Sequence, residues 1–295
     1  MGQVAKSCGE LCALPRRVPL PEPAQDVQLS RELSCALLSR GGILCWGKGQ
    51  PTHQGRRATG LVMGAPAECY LDERSQLFCG GWNVFGRLGF PESQDDRTAS
   101  SRRALAPVSV GGGVTSAVVL YHAGCALGAG GLSCWGTSFD CQVPRRVALP
   151  ERVSSLSGGG RSLCLVTESG AGYVYSGYPE SQTPVCEDGE YLFVDELGEP
   201  VARDLRAIAC FAPERVCTID RGARVACSGP SGKLDAVPGL PPSTQVAVGA
   251  AFACALSDTS RVLCWGDDRF GQLGRGQPAP VASAEPKEPS WPAHE

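Results

Sequence analysis

The chain predicts an all-β propeller of six four-stranded blades, or seven if a degenerate blade hides between Gly177 and Arg206. Three observations carry the prediction. A cysteine-led hairpin recurs six times, starting at Cys35, Cys69, Cys125, Cys164, Cys217 and Cys254. A short apolar strand precedes most copies. A proline-bounded segment also recurs outside the hairpins. Repeats of this length, each too small to bury a face alone, stack into solenoids or rings.

The hairpins come first. The fullest copies read Cys35-Ala-Leu-Leu-Ser-Arg-Gly-Gly-Ile-Leu-Cys45-Trp46-Gly47 and Cys254-Ala-Leu-Ser-Asp-Thr-Ser-Arg-Val-Leu-Cys264-Trp265-Gly266. Two apolar runs flank a Gly-rich or polar turn in each, which is the mark of a β-hairpin. Strand alternation sets Cys35 and Leu37 on one face. Opposed residues on antiparallel strands lie about 4.5–5.5 Å apart, within reach of a disulfide. Five staples follow: Cys35/Cys45, Cys69/Cys79, Cys125/Cys134, Cys217/Cys227 and Cys254/Cys264. The copy at Cys164 breaks the rule, with Val174 in place of the second Cys and Tyr175 in place of Trp. Cys164 therefore has no partner in its own hairpin.

The preceding strands are Asp26–Ser30, Arg152–Leu156, Leu205–Ala209 and Gln245–Gly249. The outer strand is read from Cys12-Ala-Leu-Pro-Arg-Arg-Val-Pro-Leu-Pro21, which matches Cys141-Gln-Val-Pro-Arg-Arg-Val-Ala-Leu-Pro150 at seven of ten positions. Proline at both ends suits an edge. The N-terminal Val18 strand is expected to complete the last blade and close the ring.

With these residues in view, the chain resembles the regulator of chromosome condensation repeat family. Gln245 to Gly274 carries nearly the whole motif: Val-Ala-Val-Gly249, Cys254-Ala-Leu256, Cys264-Trp265-Gly266 and Phe270-Gly-Gln-Leu-Gly274. Gly81-Trp82-Asn83-Val84-Phe85-Gly86-Arg87-Leu88-Gly89 is a second match. The resemblance spans about residues 12 to 280. The family's His two residues before the first Cys is missing, replaced by Leu33, Ala67, Ala123, Ser162, Arg215 and Phe252.

Composition narrows the partners. Net charge is −3 over 295 residues, which gives no footprint for nucleic acid or an anionic membrane. No apolar stretch is long enough to span a bilayer. Sixteen cysteines, ten at hairpin spacing, favour an oxidising compartment, secreted or of the periplasm and envelope. Buried reduced thiols are the plainer alternative. No signal peptide is visible after Met1. Cys8, Cys12, Cys141, Cys164, Cys186 and Cys210 remain, and six cysteines allow 15 pairings.

Domain organisation follows: an N-terminal extension at 1–11, the propeller at 12–277, and a Pro-rich disordered tail at 278–295. Two inserts interrupt the ring, at Pro91–Arg103 and Pro179–Asp204. Each reads equally as a functional loop or a tolerated surface insertion.

Chemistry is sparse. The three histidines, His53, His122 and His294, do not cluster with cysteine or carboxylate at ligand spacing. Nucleophile elbow and dinucleotide motifs are missing, and Gly229-Pro-Ser-Gly-Lys233-Leu234 fails as a phosphate loop. Asp267-Asp268 reads as a solvated turn. No catalytic residue, cofactor or metal is expected. Trp46, Trp135 and Trp265 recur at one repeat position and read as packing between blades. Trp82, Phe85, Tyr191, Phe193 and Phe270 are the candidate partner-binding aromatics, because aromatic anchors dominate interfaces. Trp82 also reads as a displaced packing residue.

The expected function is a non-enzymatic scaffold that binds a partner protein through loops on one propeller face. The resemblance implies this class, and points to the bacterial exported type. A guanine-nucleotide exchange factor acting on a small GTPase is an alternative implied by the family, as is a structural envelope or adhesive module. A monomer is expected.

Overall fold

A computed structural model describes residues 18, 20–29, 33–47, 57–64, 67–91, 103–136, 141–176, 191–192, 198–229, 232–269, 272–275 and 283–289. The N-terminal extension at 1–11, Cys8, Cys12, Cys186 and most of the Pro91–Arg103 insert lie outside the described residues. The described residues form six sheets. Blade 1 is β1 (Ala24–Leu29), β2 (Leu33–Leu38) and β3 (Ile43–Gly47). Blade 2 is β4 (Gly60–Gly64), β5 (Ala67–Leu71), β6 (Leu77–Gly81) and β7 (Arg103–Pro107). Blade 3 is β8 (Val114–Val119), β9 (Ala123–Gly128), β10 (Gly131–Gly136) and β11 (Cys141–Ala148). Blade 4 is β12 (Val153–Gly159), β13 (Ser162–Thr167) and β14 (Gly172–Tyr175). The short β15 (Tyr191–Leu192) then returns to blade 3, pairing parallel to β11. Blade 5 is β16 (Leu205–Ala212), β17 (Arg215–Asp220), β18 (Val225–Ser228) and β19 (Leu234–Ala236). Blade 6 is β20 (Ser243–Val248), β21 (Phe252–Ser257), β22 (Val262–Gly266) and β23 (Ser283–Lys287).

The six-bladed all-β propeller is as the repeats predict, with a 3-10 turn at Val84–Gly86 its one helical piece among the described residues. The stretch between Gly177 and Arg206 supplies no seventh blade among the described residues. It contributes β15 to blade 3, and Ala202 bridges Gly172 on the outer side of blade 4.

Two boundaries move. The fourth strand of blade 6 is β23, which pairs with β22 at Cys264↔Lys287 and Gly266↔Ser283. Residues 283–287 thus belong to the propeller, although composition assigns them to a disordered tail. Pro286 is tolerated because an outer strand donates hydrogen bonds on one side alone. β23 fills that place; Val18 lies in no strand, and most of the Cys12–Pro21 segment lies outside the described residues.

All five hairpin bridges form at directly opposed residues. They are Cys35–Cys45 in blade 1, Cys69–Cys79 in blade 2, Cys125–Cys134 in blade 3, Cys217–Cys227 in blade 5 and Cys254–Cys264 in blade 6. Their Cα separations are 4.0 to 4.2 Å, as for the closer, non-hydrogen-bonded pairs of an antiparallel ladder. In blade 4, Val174 faces Cys164 and Tyr175 takes the Trp place opposite Leu163. Cys164 instead bonds Cys210 of β16 in the next blade, with Cα atoms 6.2 Å apart. Cys141 is also disulfide-bonded, so all the described cysteines are oxidised.

The core lies between blades. Five buried apolar clusters each straddle two consecutive blades, from the first pair to the fifth and sixth. Among the described residues Trp135 is the bulkiest wholly buried side chain, packed from blade 3 among Leu77, Leu88 and Val108 of blade 2. No cluster among the described residues joins blade 6 to blade 1.

Candidate functional site

In an antiparallel meander, successive turns alternate between the two ends of the blade. The β8–β9, β12–β13, β16–β17 and β20–β21 turns, and the turns that follow β6 and β22, therefore share one face of the ring. Neighbouring turns on that face are bonded together. The Tyr121 N–H donates to the Gly160 carbonyl at 2.8 Å, joining blades 3 and 4. Gly160 has φ +56, and a Cβ there would lie 2.7 Å from the Phe211 carbonyl of blade 5. Only glycine allows so close an approach of backbones.

The β6–β7 turn is the site's fixed part. Asn83 is wholly buried; its Oδ1 accepts from Leu88 N at 3.0 Å and its Nδ2 donates to Phe90 O at 3.0 Å. Arg87 is buried too, its Nε donating to Val84 O at 2.8 Å. Trp135 Nε1 crosses from blade 3 to donate to the Arg87 carbonyl at 2.7 Å. The matching turn of blade 6 repeats the design, Asp268 Oδ1 accepting from Leu273 N at 2.9 Å. Asp267 and Asp268 are therefore buried turn-formers, not the solvated pair their polarity suggests. Arg269 hydrogen-bonds Asp267 and holds its carboxyl below the usual carboxylate range.

An aromatic and cationic cluster stands on this face. The Phe85 ring lies 4.2 Å from His122 and 6.3 Å from Tyr121, and Tyr121 meets His122 edge-on at 4.7 Å. Two guanidiniums lie over the Tyr121 ring, Arg87 at 5.1 Å and Arg161 at 5.5 Å. Blade 2 supplies Phe85 and Arg87, blade 3 Tyr121 and His122, and blade 4 Arg161. Burial lowers the His122 pKa to about 4, and the charges of Arg161 and Arg87 act in the same direction. The imidazole is neutral at pH 7. Tyr121 stays 47% exposed, a large aromatic surface on this face.

The residues singled out from the sequence divide. Phe85 is in this cluster, in a left-handed backbone conformation at φ 70. Trp82 is partly buried but not in the Trp place. Gly80 occupies that register position, opposite Glu68, where Trp46, Trp135 and Trp265 face Ser34, Gly124 and Ala253. The backbone of Tyr191 pairs with Val147. Phe193 and Phe270 lie outside the described residues. The hairpin cysteines take no part in the cluster. Cys79, Cys134 and Cys227 lie within β6, β10 and β18, each bonded to the strand before it through Cys69, Cys125 and Cys217. Cys35–Cys45 and Cys254–Cys264 do the same for blades 1 and 6, so these ten residues staple blades. Tyr121 and Arg161 escape sequence reading because they belong to the short β8–β9 and β12–β13 turns, with no repeated motif to flag them, and His122 stands out there only as a histidine without metal-ligand neighbours. No group of His, Cys, Asp or Glu suited to a metal ion occurs among the described residues. No helix among them is long and apolar enough to cross a membrane.

Comparison with known proteins locates this design. Residues 244–272 match the regulator of chromosome condensation (RCC1) repeat. No curated protein matches the chain in sequence. In fold it is similar to human WBSCR16, at 15% identity and TM-score 0.76, covering 95% of this chain and 85% of that one. It is also similar to the CRINKLY WD40 ectodomain of the Arabidopsis thaliana receptor kinase ACR4, at 17% identity and TM-score 0.54, covering 90% and 84%. The ectodomain of the Physcomitrella patens receptor kinase CR4 follows at 16% identity and TM-score 0.54, covering 84% and 62%. The chain thus carries one match to the regulator of chromosome condensation repeat, in its last blade, and five further copies of the same hairpin complete the propeller.

Proposed function

We propose that the protein is a non-catalytic scaffold that binds a partner protein through the loops of one propeller face, outside the cytoplasm. The carrying observation is the Phe85, Tyr121 and His122 cluster with Arg161, which three blades assemble on one face. Side chains from separate repeats converge there on a surface that no single hairpin could build. Tyr and Arg are the residue types that carry interface energy. The fold adds no counterweight towards catalysis, since propellers of this kind serve many functions and activity must be argued from a site.

Six disulfides among the described residues support the compartment. They weigh against the exchange-factor alternative, which needs a reducing cytosol or nucleus. Two of the proteins similar in fold are receptor-kinase ectodomains. A photo-crosslinking residue placed at Tyr121 tests the face, with one at Thr259 on the opposite face as control. One protein adduct from position 121 and none from 259 is the expected outcome. Adducts from 259 alone would move the partner to the other face and overturn this reading of the site. Free thiols at the hairpin cysteines in natively isolated protein would overturn the compartment.

A further inference from the structure

We propose that Cys141 forms a disulfide with Cys186, a covalent link that fastens the insert leaving blade 4 to the outer strand of blade 3. The proposal rests on the oxidising compartment argued above and assigns a bridge within it.

Elimination comes first. Cys141 is buried at the start of β11 and is disulfide-bonded. The other twelve described cysteines pair among themselves in six bridges. The partner of Cys141 is therefore Cys8, Cys12 or Cys186, which lie outside the described residues. Four cysteines allow three pairings, and one of these joins Cys141 to Cys186.

Direction and reach choose among the three. β15 pairs parallel to β11, with Tyr191 beside Val147 and Leu192 beside Ala148. Stepping back along the chain from Tyr191 thus starts in the same direction as stepping back from Val147 towards Cys141. β11 is shortened on that course. Cys141 faces Gly136 and Arg145 faces Cys134, so four steps of β11 run beside two of β10. Arg146 faces Ser133, and Val147 is one step beyond. Cys141 therefore lies about 14 Å from Val147, the length of four strand steps. The five residues from Tyr191 back to Cys186 span up to about 17 Å. Cys8 and Cys12 are worse placed. Their side of the chain is fastened at blade 1, where Glu22 accepts from Ser39 Oγ at 2.8 Å. Ten residues separate Glu22 from Cys12, and blade 2 stands between blade 1 and Cys141. Closing the shorter loop loses less chain entropy.

The bridge answers a local weakness. β15 meets β11 over two residues, in the less stable parallel pairing. Blade 4 has no hairpin staple of its own, since Val174 faces Cys164. Cys141–Cys186 and Cys164–Cys210 interleave along the sequence, so blade 4 is tied to blade 3 by one and to blade 5 by the other. In forming the bond, the two thiols give up two protons and two electrons. A disulfide donor of the oxidising compartment takes them up by thiol–disulfide exchange and leaves as a dithiol.

The test is a peptide map of natively isolated protein, alkylated and acid-quenched without reduction, then cut after Lys, Arg and Glu. Cys141 falls in peptide 104–145 and Cys186 in 181–187, while Cys164 falls separately in 162–168. Cys8 and Cys12 fall in 7–10 and 11–16. The expected product is 104–145 joined to 181–187, separating on reduction. In a Cys186→Ser variant, Cys141 is expected to become a single alkylated thiol, and in Cys12→Ser to stay bonded. Peptide 104–145 joined to 7–10 or 11–16 overturns the proposal, as does an alkylated Cys141 in the wild type or no release in Cys186→Ser. The same map reads the hairpins. Closed hairpins with Cys141 bonded elsewhere or free sink this bridge alone and leave the compartment standing. Free thiols at the hairpins and at Cys141 together sink both.

Discussion

His122 shows how one residue can carry both packing and electrostatics. Its ring is wedged between Phe85 and Tyr121, and its pKa drops to about 4 by burial first and then by Arg161 and Arg87. The sign of the consequence follows. At pH 7 the imidazole is neutral in folded and unfolded chains alike. Between the ordinary value of 6.5 and about 4, the unfolded chain takes the proton first. Stability is therefore full above 6.5 and declines as pH falls through this window. Carboxylates also titrate near its lower end, so the measurement is a difference. Urea midpoints of the wild type and His122→Asn, taken from pH 7 to 4.5, should converge as pH falls. Parallel curves would show that His122 titrates normally. The recurrent residues at this scale were readable from sequence. The Cys-Trp-Gly triplet announced its own geometry: Gly136 has φ +97, and a Cβ there would lie 2.3 Å from the His122 carbonyl. Tyr121 and Arg161 were not readable, because single residues in tight turns become neighbours only when blades pack.

At the scale of the element, similar positions do similar work with different residues. The inner strand begins with a bulge in blades 1, 3, 4, 5 and 6. The bulged residue is Gln25, Thr115, Ser154, Arg206 or Thr244, and each donates from its side chain to a backbone carbonyl. A bulge kinks and twists the strand that carries it. Since the donors share chemistry and not identity, no repeat alignment reveals them. The turn after the second strand is likewise capped by Asp72, Thr167, Asp220 or Ser257, which accepts from the N–H four residues on. Blade 4 compensates for its missing hairpin staple with the Cys164–Cys210 bridge to blade 5. Sequence identified Cys164 as the exception but could not choose its partner, which sits one blade away. The two kinds of bridge differ in the loop they close. A separation of 46 residues removes about 4 kcal/mol of chain entropy from the unfolded state, against about 2.7 for a separation of 10. The Cys164→Ala/Cys210→Ala double variant should thus lower stability more than Cys35→Ala/Cys45→Ala, by about 1 kcal/mol in chemical denaturation. An equal or smaller loss would mean that the inter-blade bridge constrains little beyond what packing already holds.

Across the whole molecule, cohesion is uneven. Burial joins each blade to the next from the first to the sixth, and the described residues place no such cluster between the sixth and the first. The inner strands on either side of this seam are the most exposed of the ring. On β1, Val27 is 48% and Leu29 67% exposed, and β20 alternates between exposed and half-buried after Ser243. By contrast β16, at the middle of a well-packed interface, buries Leu205, Ile208, Ala209 and Cys210. The repeat count gave the number of blades, yet it held no sign of the seam, because the β1 sequence alternates much as its counterparts do and exposure depends on what packs against it. Local opening costs least where little apolar surface is buried. Backbone amides of β1 should accordingly exchange with deuterium well before those of β13 and β16, which share both a core and the Cys164–Cys210 bridge. Matched protection of β1 and β16 would mean that the first and last blades grip each other as firmly as any other pair. Early exchange confined to β1 and β20 would instead mark the seam as the place where the ring yields first, leaving the aromatic face over blades 2 to 4 on its most rigid arc.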